Sequence, residues 1–152
     1  MSIFPTTILL ATDGSKQAEL AARTAADIAS TTNSDLHIAT VARLEYAPAY
    51  VIPASGVDQK SMYEAIERKA RELLDKQVKK IEQTGETIPQ VHLLRGPPDR
   101  EIVHLADEIG GGLIVIGSRG QGGVRRALMG SVSDSVVRHA HCPVLIVREE
   151  KR

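Results

Sequence analysis

The chain reads as an α/β protein whose parallel sheet is covered by helices on both faces. Three observations predict this class. Short, near-continuous apolar runs recur along the chain, the pattern of strands buried on both sides. Between them lie longer segments with apolar residues at helical spacing, so strands and helices alternate. Gly, Pro, Asp or Ser punctuates the junctions. At 152 residues, a single domain over 1–152 is the simplest organisation. A chain of that size buries roughly 68–70% of its unfolded surface.

Thr7-Ile8-Leu9-Leu10-Ala11-Thr12 is the first strand, stopped by Asp13-Gly14-Ser15. Lys16 to Thr31 is an alanine-rich helix, with Ala18, Ala21, Ala22, Ala25 and Ala29 spaced to lie close against a sheet. Asp13 or Ser15 would cap it. Leu36 to Val41 is the second strand. A polar stretch follows, Ala42 to Lys60, marked by Pro48, Pro53 and Gly56. A loop of that length (43–60) usually serves as a lid or a partner contact. Ser61 to Thr84 is the next helix, with Met62, Ile66, Ala70, Leu73 and Ile81 as its apolar stripe, and Gly85 ends it. Glu64/Arg68, Glu67/Arg71, Glu72/Lys76 and Asp75/Lys79 stand four apart on its wet faces, worth ~0.2–0.5 kcal/mol a pair. Val91 to Arg95 is the third strand, and Pro97-Pro98 opens a third helix, Asp99 to Ile109. Gly110-Gly111-Gly112 releases the fourth strand, Leu113 to Ile116. A glycine-rich segment leads to the last helix, Val132 to His139, then Pro143 and the last strand, Val144 to Val147.

Composition narrows the function classes. With 42% hydrophobic and only 3% aromatic residues, the core is built from Ala, Val, Ile and Leu. The 19 basic and 19 acidic residues cancel, which argues against a sequence-blind nucleic-acid binder. The lone Cys142 allows no internal disulfide and fits a reducing cytoplasm. No run approaches the ~18 apolar residues of a membrane span. The apolar run Ile8 to Ala11, with no basic residue ahead of Lys16, is too short for a signal sequence. The expectation is a soluble cytoplasmic protein.

The most informative segment is Gly117-Ser118-Arg119-Gly120 … Gly130-Ser131. Strand, glycine loop and helix together aim backbone N–H groups and a positive helix end at a phosphate. Gly117, Gly120 and Gly130 permit positive φ and close backbone approach. Ser131 and Ser133 offer hydroxyls, and Ser131 is also a candidate cap. Arg119, Arg125 and Arg126 stand in or beside the loop, where charge-assisted hydrogen bonds to phosphate are worth ~1.5–3 kcal/mol each. Asp13 would serve a ribose hydroxyl or a magnesium ion. Ligands in parallel sheets bind at the strands' carboxyl ends, and Asp13, Val41 and Gly117 all fall there.

Rival motifs fail on inspection. There is no Gly-Lys pair, hence no Walker loop, and Gly120-Gln121-Gly122 meets Arg125 where a dinucleotide fingerprint has its third glycine. His139, His141 and Cys142 stand too close together to close a tetrahedral metal site unaided. His37, His92 and His104 have no nucleophile beside them in the sequence, so no hydrolytic triad is expected.

These residues resemble the universal stress proteins over nearly the whole chain. The likeness rests on Ile8-Leu9-Leu10-Ala11-Thr12-Asp13-Gly14-Ser15, on Arg95-Gly96-Pro97-Pro98, and on the closing block Gly117 to Val147. The family's ATP pattern is Gly, two residues, Gly, nine residues, then Gly with Ser or Thr. It falls on Gly117, Gly120, Gly130 and Ser131. His139-Ala140-His141-Cys142-Pro143-Val144-Leu145-Ile146-Val147 looks like the family's C-terminal strand. The resemblance implies a Rossmann-like three-layer fold of the adenine nucleotide alpha hydrolase type, with strand order 3-2-1-4-5. It implies adenine near Ala11 and Val41, and ribose near Asp13 and Gly117. Phosphates would meet Gly130, Ser131, Val132 and Ser133, with Thr12, Ser118, Arg119 and Gly120 also in the nucleotide site, ATP, ADP or AMP as ligand and Mg²⁺ beside Asp13. It further implies a homodimer through Val144 to Val147, a stress-response role with an unidentified downstream protein, and ATP hydrolysis that is absent or very slow. Gly111-Gly112 departs from the family's frequent Ala-Asp, at the strand end remote from this site. Two other classes stand beside this one: a nucleotide-independent structural dimer, and a nucleotide-using enzyme. The enzyme lacks support from Thr12-Asp13-Gly14-Ser15, which supplies neither a Ser-Gly-Gly nor a His-based motif.

Overall fold

The alternation of apolar runs and helical segments resolves, among the described residues, into nine elements in the computed structural model. The strands are β1 (Thr7–Ala11), β2 (Asp35–Ala42), β3 (Gln90–Arg95), β4 (Leu113–Gly117) and β5 (Val144–Val147). The helices are α1 (Lys16–Thr32), α2 (Gln59–Glu82), α3 (Pro98–Glu108) and α4 (Ser131–His139). Residues 1–44, 58–84, 89–119 and 130–149 are described. Pro48, Pro53, Gly56, Gly85, Gly120, Gly122, Arg125 and Arg126 lie outside that set.

The five strands form one parallel sheet in the order β3-β2-β1-β4-β5. Side chains alternate across it. Ile8, Leu10, Leu36, Ile38, Leu113 and Val115 pack with Ala21, Ala22, Ala25 and Ala29 of α1 and with Leu74 and Ile81 of α2. Leu9, Ala11, Ala39, Ile114 and Ile116 pack on the other face with Ile102, Leu105 and Ala106 of α3 and Val136 of α4. Each large aliphatic side chain so buried contributes about 1.5–3 kcal/mol. The result is a three-layer, Rossmann-like sandwich with the sheet as its filling. The alanines of α1 let that helix lie close, and all five expected at its interface are buried.

Local differences from the sequence expectations have physical causes. Helix α2 starts at Gln59, inside the expected loop, because Asp58 is its N-cap and accepts the Ser61 N–H at 2.7 Å. That bond holds the Asp58 carboxyl below its ordinary range. The residues α2 buries fully are Leu74, Gln77 and Ile81, while Met62, Ile66, Ala70 and Leu73 of the expected stripe are half-buried. Glu67 pairs with Arg95 of β3, not with Arg71 one turn along its own helix.

Candidate functional site

Ala11 pairs with Ala39 of β2 and with Ile116 of β4, so β1 and β4 end at nearly one level while β2 runs on to Ala42. After β1 the chain moves toward β2 and β3, and after β3 it crosses to β4 and β5. The switch lies between β1 and β4, where a crevice opens at the carboxyl ends of parallel strands. Thr12 and Asp13 emerge on one side of it, Gly117 and Ser118 on the other, and Val41 lies at the end of β2.

The exit of β1 is held by a short run of hydrogen bonds. Thr12 donates its N–H to the Ala39 carbonyl at 2.9 Å. Its own carbonyl accepts the buried Thr40 hydroxyl at 2.7 Å. Gly14 turns the chain with φ +78°, and its N–H reaches the Thr12 hydroxyl at 3.3 Å. Asp13 Oδ1 accepts the Ser15 N–H at 2.9 Å, while Ser15 Oγ accepts the Ala18 N–H at 3.2 Å and is the N-cap of α1. The two candidate caps thus divide the work: Ser15 caps the helix and Asp13 fixes the turn leading into it.

The exit of β4 is organised around Ser118, which is 3% exposed. Its N–H donates to the Val147 carbonyl at 2.9 Å, and its carbonyl accepts the Gly130 N–H at 2.6 Å. The same carbonyl accepts the Ser133 hydroxyl at 2.8 Å. Gly130 is the N-cap of α4, and no side chain caps that end. Ser131 is therefore the first helical residue and not the cap that its position in the sequence suggested. The amides of Ser131, Val132 and Ser133 open α4 and have no intrahelical acceptor, since the first i→i−4 bond runs from the Asp134 N–H to the Gly130 carbonyl at 3.0 Å. Together with the helix dipole they form a ready site for an anion. Asp134, the one acid in this first turn, is paired with Arg138 at 3.1 Å.

Gly117 differs from its expected role. Its φ is not positive, and the space its missing Cβ leaves is filled by α1: an added Cβ would stand 2.9 Å from the Gln17 carbonyl carbon. Arg119 follows at the strand's exit, half-buried. Thus Ala11, Thr12, Asp13, Val41, Gly117, Ser118, Arg119, Gly130, Ser131, Val132 and Ser133 all lie along the carboxyl edge of the sheet, and Gly120 falls outside the described residues. Two residues of the network had no role in the sequence reading. Thr40 was detectable as a hydroxyl inside an apolar run. Gln17 carried no signal, because a glutamine in the first turn of a surface helix looks like ordinary solvated sequence.

A groove of about 620 Å³ lies elsewhere, between α1 and α2, lined by Glu19, Arg23, Gln77, Lys80 and Thr84 among others. None of the crevice residues borders it. Among the described residues no cluster of His, Cys, Asp and Glu is arranged to hold a metal ion by itself, and no helix is long and apolar enough to cross a membrane.

Comparison with known proteins gives a consistent picture. The model of the universal stress protein family matches residues 5–148. A universal stress protein of Methanocaldococcus jannaschii is 34% identical over 145 residues, spanning 95% of this chain and 83% of that protein. Among solved structures, a universal stress protein in complex with cAMP is 31% identical with a TM-score of 0.61, covering 95% of this chain and 97% of that one. The universal stress protein from Archaeoglobus fulgidus in complex with dAMP is 27% identical with a TM-score of 0.65, covering 96% and 99%.

Proposed function

The chain belongs to the universal stress protein family, and on that premise we propose that it binds an adenine nucleotide, ATP foremost, in the crevice between β1 and β4. The observation that carries this reading is the start of α4, where no side chain among the described residues caps the amides at Ser131, Val132 and Ser133, at the same edge of the sheet as Asp13. Adenine would lie toward Ala11, Thr12 and Val41, ribose between Asp13 and Gly117, and the phosphates against Gly130 to Ser133, with Ser118 and Arg119 at the exit of β4 and Gly120 as a further candidate contact. The two solved relatives carrying cAMP and dAMP share the adenine and differ in the phosphate, which favours a site that selects the base. A Mg²⁺ ion fits the same residues in the usual way for that cation, with one carboxylate, Asp13, and the remaining ligands from phosphate and water. It would neutralise phosphate charge there.

The protein's role in this reading is that of a cytoplasmic stress-response regulator that reports nucleotide binding to a downstream protein, as a homodimer joined through β5, with neither nucleic acid nor membrane as partner. Hydrolysis needs a positioned water, a base and charge neutralisation at the γ-phosphate. Asp13 with Mg²⁺ would serve part of that, but the chain has no Gly-Lys pair and so no Walker lysine, and turnover is expected to be absent or well below ~1 per second.

The test is calorimetry and thermal unfolding with Mg-ATP, AMP, cAMP and GTP, together with mass spectrometry of any nucleotide released on denaturation. Adenine ligands are expected to stabilise the protein by ~2.7 kcal/mol at 100 times their Kd, and GTP much less. A nucleotide-independent dimer is the second reading, favoured by Gly117, whose identity α1 alone explains. No heat, no thermal shift and no co-purified nucleotide would decide for it.

A further inference from the structure

Gln17 lies under the crevice and makes two hydrogen bonds, both to the strand exits. Its Oε1 stands 3.2 Å from Ser118 Oγ and 3.1 Å from the Glu149 backbone nitrogen. A peptide N–H can only donate, so the atom facing it is the amide oxygen, and the Ser118 hydroxyl must then donate as well. The backbone of Gln17 also fills the space beside Gly117. Gln17 is therefore in contact with consecutive residues of the β4 exit, one through its main chain and one through its side chain.

Ser118 passes this anchoring on. Its carbonyl takes the Gly130 N–H and the Ser133 hydroxyl, and its N–H takes the Val147 carbonyl. A continuous chain of hydrogen bonds thus runs from α1 through Gln17 and Ser118 to the first turn of α4. Its Ser133–Ser118 bond is buried, where a hydrogen bond is stronger than at the surface, while the Gln17–Ser118 bond is part-buried and the Gln17–Glu149 bond exposed. The ends of β4 and β5 and the starts of α1 and α4 all meet in it.

We propose that Gln17 is a positioning residue for the phosphate-binding turn: its amide oxygen fixes Ser118, and Ser118 fixes where the amides of Ser131, Val132 and Ser133 converge. This rests on the nucleotide reading above. Gln17 does not touch the ligand. Its contribution is pre-organisation, since donors held before binding need not be ordered during it. The effect belongs to the phosphate end alone, because the elements flanking the adenine side, β1 and β2, are tied to each other through Thr12, Ala39 and Thr40.

The experiment compares AMP with adenosine by calorimetry in the wild type, Gln17→Met, Ser118→Ala and the double variant. Methionine keeps the length of the side chain and removes the acceptor. Gln17→Met is expected to weaken AMP about fivefold, the net size of one part-buried hydrogen bond, and to change adenosine by less than about twofold. Ser118→Ala is expected to match it, and the double variant to be no weaker than either single change, because both remove the same link. In ¹⁵N–¹H spectra without ligand, the amides of Ser131 to Ser133 should shift in Gln17→Met. Equal losses for AMP and adenosine would mean general destabilisation, and unchanged AMP affinity would mean no positioning; either overturns the assignment of Gln17 alone. A wild type that binds neither ligand overturns the nucleotide reading and this role with it.

Discussion

Gly117 owes its identity to the helix lying over it. A Cβ there would sit 2.9 Å from the carbonyl carbon of Gln17 and 3.0 Å from its Cβ and its oxygen. Two of those three atoms are backbone and cannot swing aside, so a methyl group must push α1 off the sheet. Gly117→Ala is expected to cost roughly 1–3 kcal/mol in the absence of any ligand, as overpacking does, read as a lower urea midpoint at unchanged slope. Unchanged stability would return Gly117 to a role in the ligand site alone. The position shows how one glycine in a binding pattern can answer a packing demand that spacing along the chain never reveals.

At the scale of elements, β5 is the exposed edge of the sheet beside the crevice. Its Pro143 and Val147 carbonyls accept the Ile114 and Ser118 N–H groups of β4. Val144 and Ile146, out of phase with them, therefore turn their own N–H and C=O groups outward. All four β5 residues are half-buried and apolar, an edge that aggregates unless it is paired or covered. Ile146→Pro removes one outward donor where proline is tolerated. If the chain forms the homodimer proposed above, the expected result is a shift from dimer to monomer in sedimentation velocity with a native circular dichroism spectrum. A dimer that persists would place the joint elsewhere.

The strands were the most legible part of the chain: each apolar run became one, with ends moved by a residue or so. Helix α1 was equally plain, its five alanines marking the buried face. Helix α2 was less so: of its expected stripe only Ile81 is fully buried, Met62, Ile66, Ala70 and Leu73 are half-buried, and Leu74 and Gln77 are buried outside that stripe. Nothing local says which positions of a long amphipathic helix are buried most deeply. For the crevice, motif spacing singled out the right edge of the sheet but missed Gln17. That side chain matters through Ser118 and Glu149, far away in the chain, and such pairings exist only once the fold does.

For the whole molecule, acid sensitivity has an identifiable source. His37 Nδ1 and His92 Nε2 are 2.9 Å apart across β2 and β3, with the rings stacked at 5.1 Å and 10°. Only one proton fits on that line, so two fully protonated rings would break the bond. Burial pushes both imidazoles below their ordinary value; His92 adds to this at His37, while Asp35 opposes it there and Glu108 opposes it at His92. The folded chain then binds these protons less readily than the unfolded one. The stability involved is complete above the unfolded value of about 6.5 and is lost as pH falls below it. The urea midpoint is expected to drop between about pH 7.5 and pH 5.5, above the range where lowered carboxylates such as Glu67 and Asp99 take up protons. In His92→Gln the drop should flatten. A profile as steep as the wild type's would assign acid sensitivity to other groups.

The bond between the Gly130 N–H and the Ser118 carbonyl has a practical corollary for protein engineering. It staples the two stems of the interval 119–129, so the residues between are closed into a ring whose length is thermodynamically cheap to vary, at about 0.6 kcal/mol per doubling. A foreign epitope or reporter peptide grafted within that interval would leave that staple, and the strand and helix it joins, in place.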